Sequence, residues 1–385
     1  MSIAGCDRSD SASAPDTSAP ASREQTSGAP PDSPLDAVPA DLQCNVLVHY
    51  ANLAEAVFRD AAERGETLVE RIKPLRREPT EDELADARGA WVEARRPFVV
   101  SRVFRTDGAP SPTQRLGRHL PGPPTPASQV DGPAREGTGD VGTEATSLTG
   151  DDPLATNFHA IEFLLWGPDT NAHGPGQRPV SDFRLVGASS LETVRRRRNA
   201  LLSLASWHTE DLHELANAWS SGPASPAGDQ PYRAEFLDRD RSAALTQILD
   251  GVTGLLRHLA ETRLRRLLEK APDRPTVSRF SDTTHRELVV GTRALLAVYT
   301  GSYRRSDGTR IDGPGLERLV AALAPDIDER CHDQFDATLE AVRALPQPLD
   351  RAVRTEAGRR AIERAADELD RQREIFEAIE KQLGL

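Results

Sequence analysis

Asp152-Pro153-Leu-Ala-Thr-Asn157-Phe-His159-Ala-Ile-Glu162-Phe-Leu-Leu-Trp166-Gly167-Pro168 carries a start signal, an apolar run and a stop signal, in that order. Aspartate before proline suits an N-cap followed by the first helical position, where the missing proline N–H costs nothing; glycine followed by proline suits the opposite end. The enclosed segment is predicted to be one short, strongly apolar helix. His159 and Glu162 lie three residues apart and share a face of it, beside a seam of Phe158, Ile161, Leu164 and Leu165. An imidazole nitrogen and a carboxylate oxygen at this spacing can converge on one cation, as they do in the metal sites of helical bundles. The same spacing also describes a hydrogen-bonded pair at the edge of a core.

Helical spacing extends on both sides of this segment. Leu42 to Ile72 places Val46, Ala54, Val57, Ala61 and Leu68 at helical intervals, with Lys73-Pro74 as its end. Thr80 and Glu83 read as a capping box that opens a second helix, bent at Pro97 and running to about Phe104. Further helices are expected at Ser190 to Trp219, Ala243 to Glu269, Thr284 to Tyr299, Gly315 to Leu345 and Ala352 to Leu383. The last has a seam of Ile362, Ala365, Leu369, Phe376, Ile379 and Leu383 that suits a bundle. No alternating run of useful length exists, so strands are not expected. Gly, Pro, Ser and Thr dominate Thr106 to Asp152, read as a long irregular loop, and Ser220 to Pro231, read as a boundary between two helical halves. The expected fold is all-α, divided into residues 1–38, 39–222 and 232–385.

Across 385 residues the formal net charge is -12 and 28% of residues are charged, which argues against the phosphate backbone of a nucleic acid as a partner. Arg195 to Arg198, the strongest basic run, reads as a solvated helix face. No apolar stretch approaches the length needed to span a bilayer. The three cysteines, Cys6, Cys44 and Cys331, lack the spacing of a zinc ribbon, and Cys44 and Cys331 read as core thiols. Ile3-Ala4-Gly5-Cys6 resembles the end of a lipoprotein signal, and the Ser-, Ala-, Asp- and Pro-rich stretch behind it reads as a flexible tether. Only five residues precede Cys6, without a basic or an apolar region, so the signal's beginning is expected upstream. Lipidation of Cys6 would place the protein in the cell envelope, on the periplasmic side, touching the membrane only through its anchor.

Asn157 to Gly167, followed by Gly174-Pro-Gly-Gln-Arg178-Pro179, resembles the signature of imelysin-like proteins, also known as peptidase family M75. Trp91-Val-Glu-Ala-Arg95-Arg-Pro97-Phe98, Phe104-Arg105, Arg279-Phe-Ser281-Asp282-Thr-Thr-His285-Arg-Glu and Gly301-Ser-Tyr303 match further blocks in order. The resemblance spans roughly Leu42 to Leu383. It implies two packed helical bundles, resembling duplicated four-helix halves, in envelope proteins often associated with iron acquisition, with the HxxE motif near their junction. It also assigns family-motif polar positions to Arg95, Arg178 and Ser281, alongside Asp282 and His285. The chain departs from the family pattern at Asn157, where glycine is usual, and at Arg102, where glutamate usually follows Ser101. A Trp-Pro-Leu-Asp-Glu block expected after Thr106 is missing.

His159 and Glu162, helped by Asp282 or His285, form the expected site for a divalent metal, iron or zinc. If a helix begins before Asp282, that residue and His285 share a face; if not, Thr284 and Glu287 form a capping box. His173 is a further candidate ligand, and His208, Glu210, Asp211, His213 and Glu214 read as a solvated face. Three functions follow: a metal-binding envelope protein with iron-transport components as partners, an M75-type metallopeptidase, or a non-enzymatic ligand- or partner-binding module. The chain has no HExxH motif, which favours a non-enzyme over the peptidase.

Overall fold

A computed structural model describes residues 33–106, 108–110, 153–168, 174–185, 191–222, 231–270 and 278–385. Cys6 and its tether, the Asp152 cap, His173, and most of the Thr106 to Asp152 loop and the Ser220 to Pro231 break lie outside these residues. Helix α1 spans Ala40–Arg77 and buries the expected stripe of Val46, Ala54, Val57, Ala61 and Leu68. It runs through Pro74 instead of ending there, because a proline in the last turn removes one hydrogen bond while its carbonyl still accepts from Glu78 N at 2.9 Å. Helix α2, Glu81–Val100, is capped by Thr80, whose hydroxyl accepts from Glu83 N at 3.1 Å. Past Pro97 the chain tightens into a 3-10 turn at Ser101–Phe104.

Helix α3, Pro153–Trp166, stops at Gly167, whose φ of 74° is readily adopted only without a side chain. Helix α4, Leu191–Ala218, follows, and α1 to α4 pack together as one group, with α1 against α2 and α4, and α3 against α2 and α4. The basic run is not wholly solvated: Arg197 is buried and donates to Asp182 O, and Arg198 donates to Phe183 O at 2.6 Å. Both hold the 3-10 turn Val180–Phe183 against α4.

Helix α5 (Tyr232–Asp238) packs on α1, and the second group begins with α6 (Arg241–Arg257), a π-helical stretch at His258–Arg265 and α7 (Arg266–Lys270). The sequence reads Ala243 to Glu269 as one uniform helix; a π insertion adds a residue to the turn without breaking the apolar pattern, so periodicity does not reveal it. Helix α8, Thr284–Thr300, ends at Gly301 with φ 70°. Contrary to the expectation of no strands, β1 (Ser302–Arg304) and β2 (Arg310–Asp312) form an antiparallel hairpin with Tyr303 opposite Ile311. Three-residue strands are too short to leave an alternating pattern. Helices α9 (Glu317–Leu323) and α10 (Pro325–Arg343) divide the expected Gly315 to Leu345 helix at Ala324, which the following proline keeps out of the helical region, with φ -148° and ψ 72°. After α11 (Leu349–Ala352), α12 (Glu356–Leu383) packs on α10, α6 and the π-helical stretch.

The two groups meet where α8 lies on α2 and where the 3-10 turn at Ser101–Phe104 lies on α6. The hairpin is tied to α1 by buried Asp60, which accepts from Tyr303 Oη at 2.5 Å and Ser306 N at 3.0 Å, and by His49, which donates to Gly301 O at 2.7 Å. Cys331 is buried and free, as expected, whereas Cys44 is disulfide-bonded and not a free thiol. Among the described residues no helix is long and apolar enough to cross a membrane.

Gly251 on α6 records how closely the groups approach, since a Cβ there would lie 2.3 Å from Val103 O, while one at Gly254 would meet nothing within 4 Å. Gly251→Ala is expected to destabilise the protein by about 2 kcal/mol through overpacking. Gly254→Ala should be neutral or stabilise by up to about 1 kcal/mol through helix propensity. Urea unfolding of the two variants beside wild type measures the difference; equal effects would contradict the close approach.

Candidate functional site at the junction of the helical groups

Backbone geometry at the end of α3 explains much of the glycine- and proline-rich segment after it. Arg178 N donates to Trp166 O at 2.8 Å, and the Arg88 guanidinium donates to Leu165 O and Arg178 O at 2.9 and 2.8 Å. These contacts satisfy carbonyls that the helix leaves open. Gly176 N donates to Phe280 O at 2.8 Å, and a Cβ on Gly176 would lie 2.6 Å from Trp166 O. The segment therefore joins α3 to the turn before α8. Arg178 also pairs with Asp182 at 3.0 Å, so its role is to hold the helix end.

His159 and Glu162 are completely buried. Arg95 Nη2 lies 3.3 Å from His159 Nε2, and His159 Nδ1 lies 3.1 Å from Glu162 Oε2. A guanidinium can only donate, so Nε2 must accept and Nδ1 carries the proton that is donated to Glu162. The other oxygen of Glu162 accepts from Ser281 N at 2.8 Å and Ser281 Oγ at 2.6 Å. Ser281 sits in a tight turn beside Asp282, whose φ of 57° is one of the few left-handed conformations aspartate tolerates. On the far side of Arg95, Glu287 accepts from Nε and Nη2, both at 2.8 Å, and it also accepts from Ser278 Oγ. The chain of contacts Ser281, Glu162, His159, Arg95, Glu287 thus runs from the turn before α8, through α3 and α2, and back to α8.

Burial pushes the Glu162 carboxyl up to about 8; the Ser281 hydroxyl opposes this and the Glu287 charge reinforces it. Burial and the nearby Arg95 and Arg263 guanidinium groups hold His159 well below its ordinary value, so the ring is neutral. Burial alone would raise Glu287, but Arg95 more than reverses this and keeps it ionised. Next to Arg95 a small cavity of about 30 Å³ is lined by Arg102, Arg105, Arg263 and His258. His258 is kept neutral by burial and by Arg102 and Arg263.

The family model for imelysin matches residues 54–376, a span that contains every member of this network. The chain belongs to the imelysin family. Its fold is similar to that of a crystal structure from Parabacteroides distasonis described as a "putative iron-regulated protein A precursor", with a TM-score of 0.63, 16% identity, and coverage of 93% of this chain and 97% of that one. At that identity the likeness concerns the fold alone. None of the curated proteins matches.

In this imelysin the arrangement does not fit a resident divalent cation. A metal on Nδ1 would move the ring proton to Nε2, directly against the Arg95 guanidinium, and Glu162 Oε1 is already occupied by two donors. Among the described residues no three His, Cys, Asp or Glu side chains are gathered in a metal-holding group. His285 is directed to the end of α10, with Nε2 3.1 Å from Val342 O. Asp282 precedes the helix, so it and His285 do not share a helical face. The expected Thr284 and Glu287 capping box is absent too: Thr283 is the N-cap, without a side-chain cap bond, and Glu287 faces Arg95. Of the 208–214 cluster, His208 is buried edge-on against Phe158, with centroids 4.3 Å apart, Asp211 is buried, and His213 is half-buried and meets Glu66 at 2.8 Å. Glu287, Ser278 and Arg263 were not legible as site residues, because nothing local distinguishes them from a helix start, a turn and a basic helix.

The raised Glu162 value has a consequence for stability. The native carboxyl keeps its proton where the unfolded one has lost it, Glu162 Oε1 then donating to Ser281 Oγ, which turns its own hydrogen to Thr283 Oγ1; its contribution is present below the ordinary value of 4.5 and is lost as pH rises to about 8. His159 acts oppositely, its contribution being lost as pH falls below the ordinary 6.5. Of the two, only Glu162 changes charge between pH 6.5 and 8, and wild type should lose about 2 kcal/mol relative to Glu162→Gln over that window. Parallel pH dependences of urea unfolding would contradict the assignment.

Proposed function

We propose that the protein is a non-enzymatic binding protein of the cell envelope, linked to iron handling, in which the HxxE pair fastens the two helical groups together. One observation carries the reading: both ring nitrogens of His159 and both oxygens of Glu162 are engaged by protein partners at complete burial. A general base or a metal ligand needs a lone pair that can reach a reacting atom; His159 has none to spare, and complete burial closes the last acceptor position of Glu162 Oε2 off from solvent. The iron link draws on the likeness to a protein whose name calls it iron-regulated, and the envelope location on the word precursor in that name. Iron-transport components would be the partners.

A second reading, a divalent cation replacing the proton shared by His159 and Glu162, is favoured by the 3.1 Å separation of Nδ1 and Oε2, which suits two adjacent ligands. It requires Arg95 to withdraw from Nε2. Calorimetric titration with zinc and, without oxygen, ferrous iron should give no stoichiometric binding that depends on the pair, and casein should not be cleaved. His159→Ala and Glu162→Ala should instead lower the unfolding midpoint. One bound metal per chain, or casein cleavage, lost in both variants would overturn the proposal.

A further inference from the structure

A large cleft opens on the other side of the seam between α2 and α8. Its volume is about 1460 Å³, above the roughly 300–1,000 Å³ of most small-molecule sites. Arg95 and Arg96 are neighbours on α2 and point about 100° apart, so the first enters the buried network while the second reaches the cleft. On α8 the same division holds, with Glu287 in the network and Val290, Ala294 and Ala297 along the cleft. Ala294 and Ala297, with Ala321 and Ala322 of α9, explain why space remains: four methyl side chains stand where a packed core would place larger ones. The floor is apolar and the rim is not.

The rim's charge is one-sided. Arg96, Arg293, Arg318 and Arg343 all line the cleft, and none makes an ion pair among the described residues. The acidic groups that share the cleft are already engaged: Asp312 accepts from Ser302 Oγ at 2.7 Å and Arg310 Nε at 2.8 Å, and Glu317 faces His332 at 3.4 Å. Burial and the neighbouring Arg343 and Arg96 hold the Arg293 guanidinium below its ordinary value, which means that these cations from three different helices repel one another. A chain with a formal net charge of -12 that gathers uncompensated arginines around one hollow concentrates positive potential there. Guanidinium groups match the geometry of oxyanions.

We propose that this cleft binds an organic anion with an apolar body, whose oxyanion head is held by Arg96, Arg293 and Arg343 and whose body lies over Val290, Ala294 and Ala297. The proposal deepens the reading of the protein as a binding module by naming the class of its ligand, and it uses no residue of the buried network. Its failure would leave the network's role untouched, because the casein and metal measurements do not depend on the cleft.

The probe is 8-anilinonaphthalene-1-sulfonate, an anion with an apolar body, titrated by fluorescence on the folded protein. Its uncharged counterpart N-phenyl-1-naphthylamine serves as the control and decanoate as the competitor. Wild type should bind the anionic probe at one site, more weakly as sodium chloride is raised, and decanoate should displace it. The Arg293→Glu/Arg343→Glu variant should bind at least tenfold more weakly, and Arg293→Gln/Arg343→Gln to an intermediate degree. Unfolding midpoints should stay near wild type, since both side chains are exposed and make no ion pair among the described residues. Affinity within twofold of wild type in the charge-reversed variant would overturn the proposal, as would equal affinity of wild type for the neutral probe or no binding of the anionic probe at all.

Discussion

The buried ion pair between Arg95 and Glu287 is the constraint from which the rest of the junction follows. Taking two charges out of water costs several kcal/mol for each, so the arrangement is stable only where geometry is good and the remaining donors and acceptors are met. The first condition holds here, with two bonds of 2.8 Å and with Ser278 Oγ also donating to Glu287; the second is met for Glu287 but not for Arg95 Nη1, which is buried without a hydrogen-bond partner among the described residues. The guanidinium is further enclosed by the rings of Phe98 and Phe158, 5.2 and 5.3 Å from their centroids. Once Arg95 is fixed, the Nη2 that faces His159 decides which ring nitrogen is protonated. That tautomer selects the Glu162 oxygen that is bonded, and the other oxygen takes the Ser281 turn.

This order of dependence gives the HxxE motif a meaning that its composition does not suggest. Histidine and glutamate one turn apart look like ligands, yet a cation beside them is already supplied by the protein. The pair conveys the position of α2 to the turn that begins α8, and so couples the two helical groups at a place where a polar contact has no water to compete with it. Imelysin family membership is consistent with many chemistries, because a fold carries function only through the site built on it. In this chain the opening of chemical interest lies across the α2 and α8 seam, where Arg96, Arg293, Arg318 and Arg343 make no ion pair among the described residues.

The helices were legible because apolar spacing and end signals act over short distances: Thr80 caps α2, Gly167 stops α3, and the α12 seam is buried along its length. The hairpin was not, since each strand is three residues long and is stabilised by Asp60 and His49 from distant α1. The π-helical stretch preserves the apolar pattern around it and leaves no periodic trace. At the site, His159 and Glu162 could be found from spacing, and Arg95 and Ser281 from resemblance in ordered motif blocks. Glu287 could not, because a glutamate in a helix's first turn has an ordinary explanation. Arg96, Arg293, Arg318 and Arg343 of the cleft come from four helices, and only folding brings them together.

A double-mutant cycle on Arg95→Met and Glu287→Gln tests the central claim most directly. Each single change leaves a buried group without its partner, at a cost of about 3–5 kcal/mol, whereas the double change removes both. The account predicts a coupling of at least about 2 kcal/mol in urea unfolding, with the double variant more stable than the sum of the single losses implies. Additivity to within about 0.5 kcal/mol would contradict it, since the two residues would then be acting independently and the junction would be held by something else.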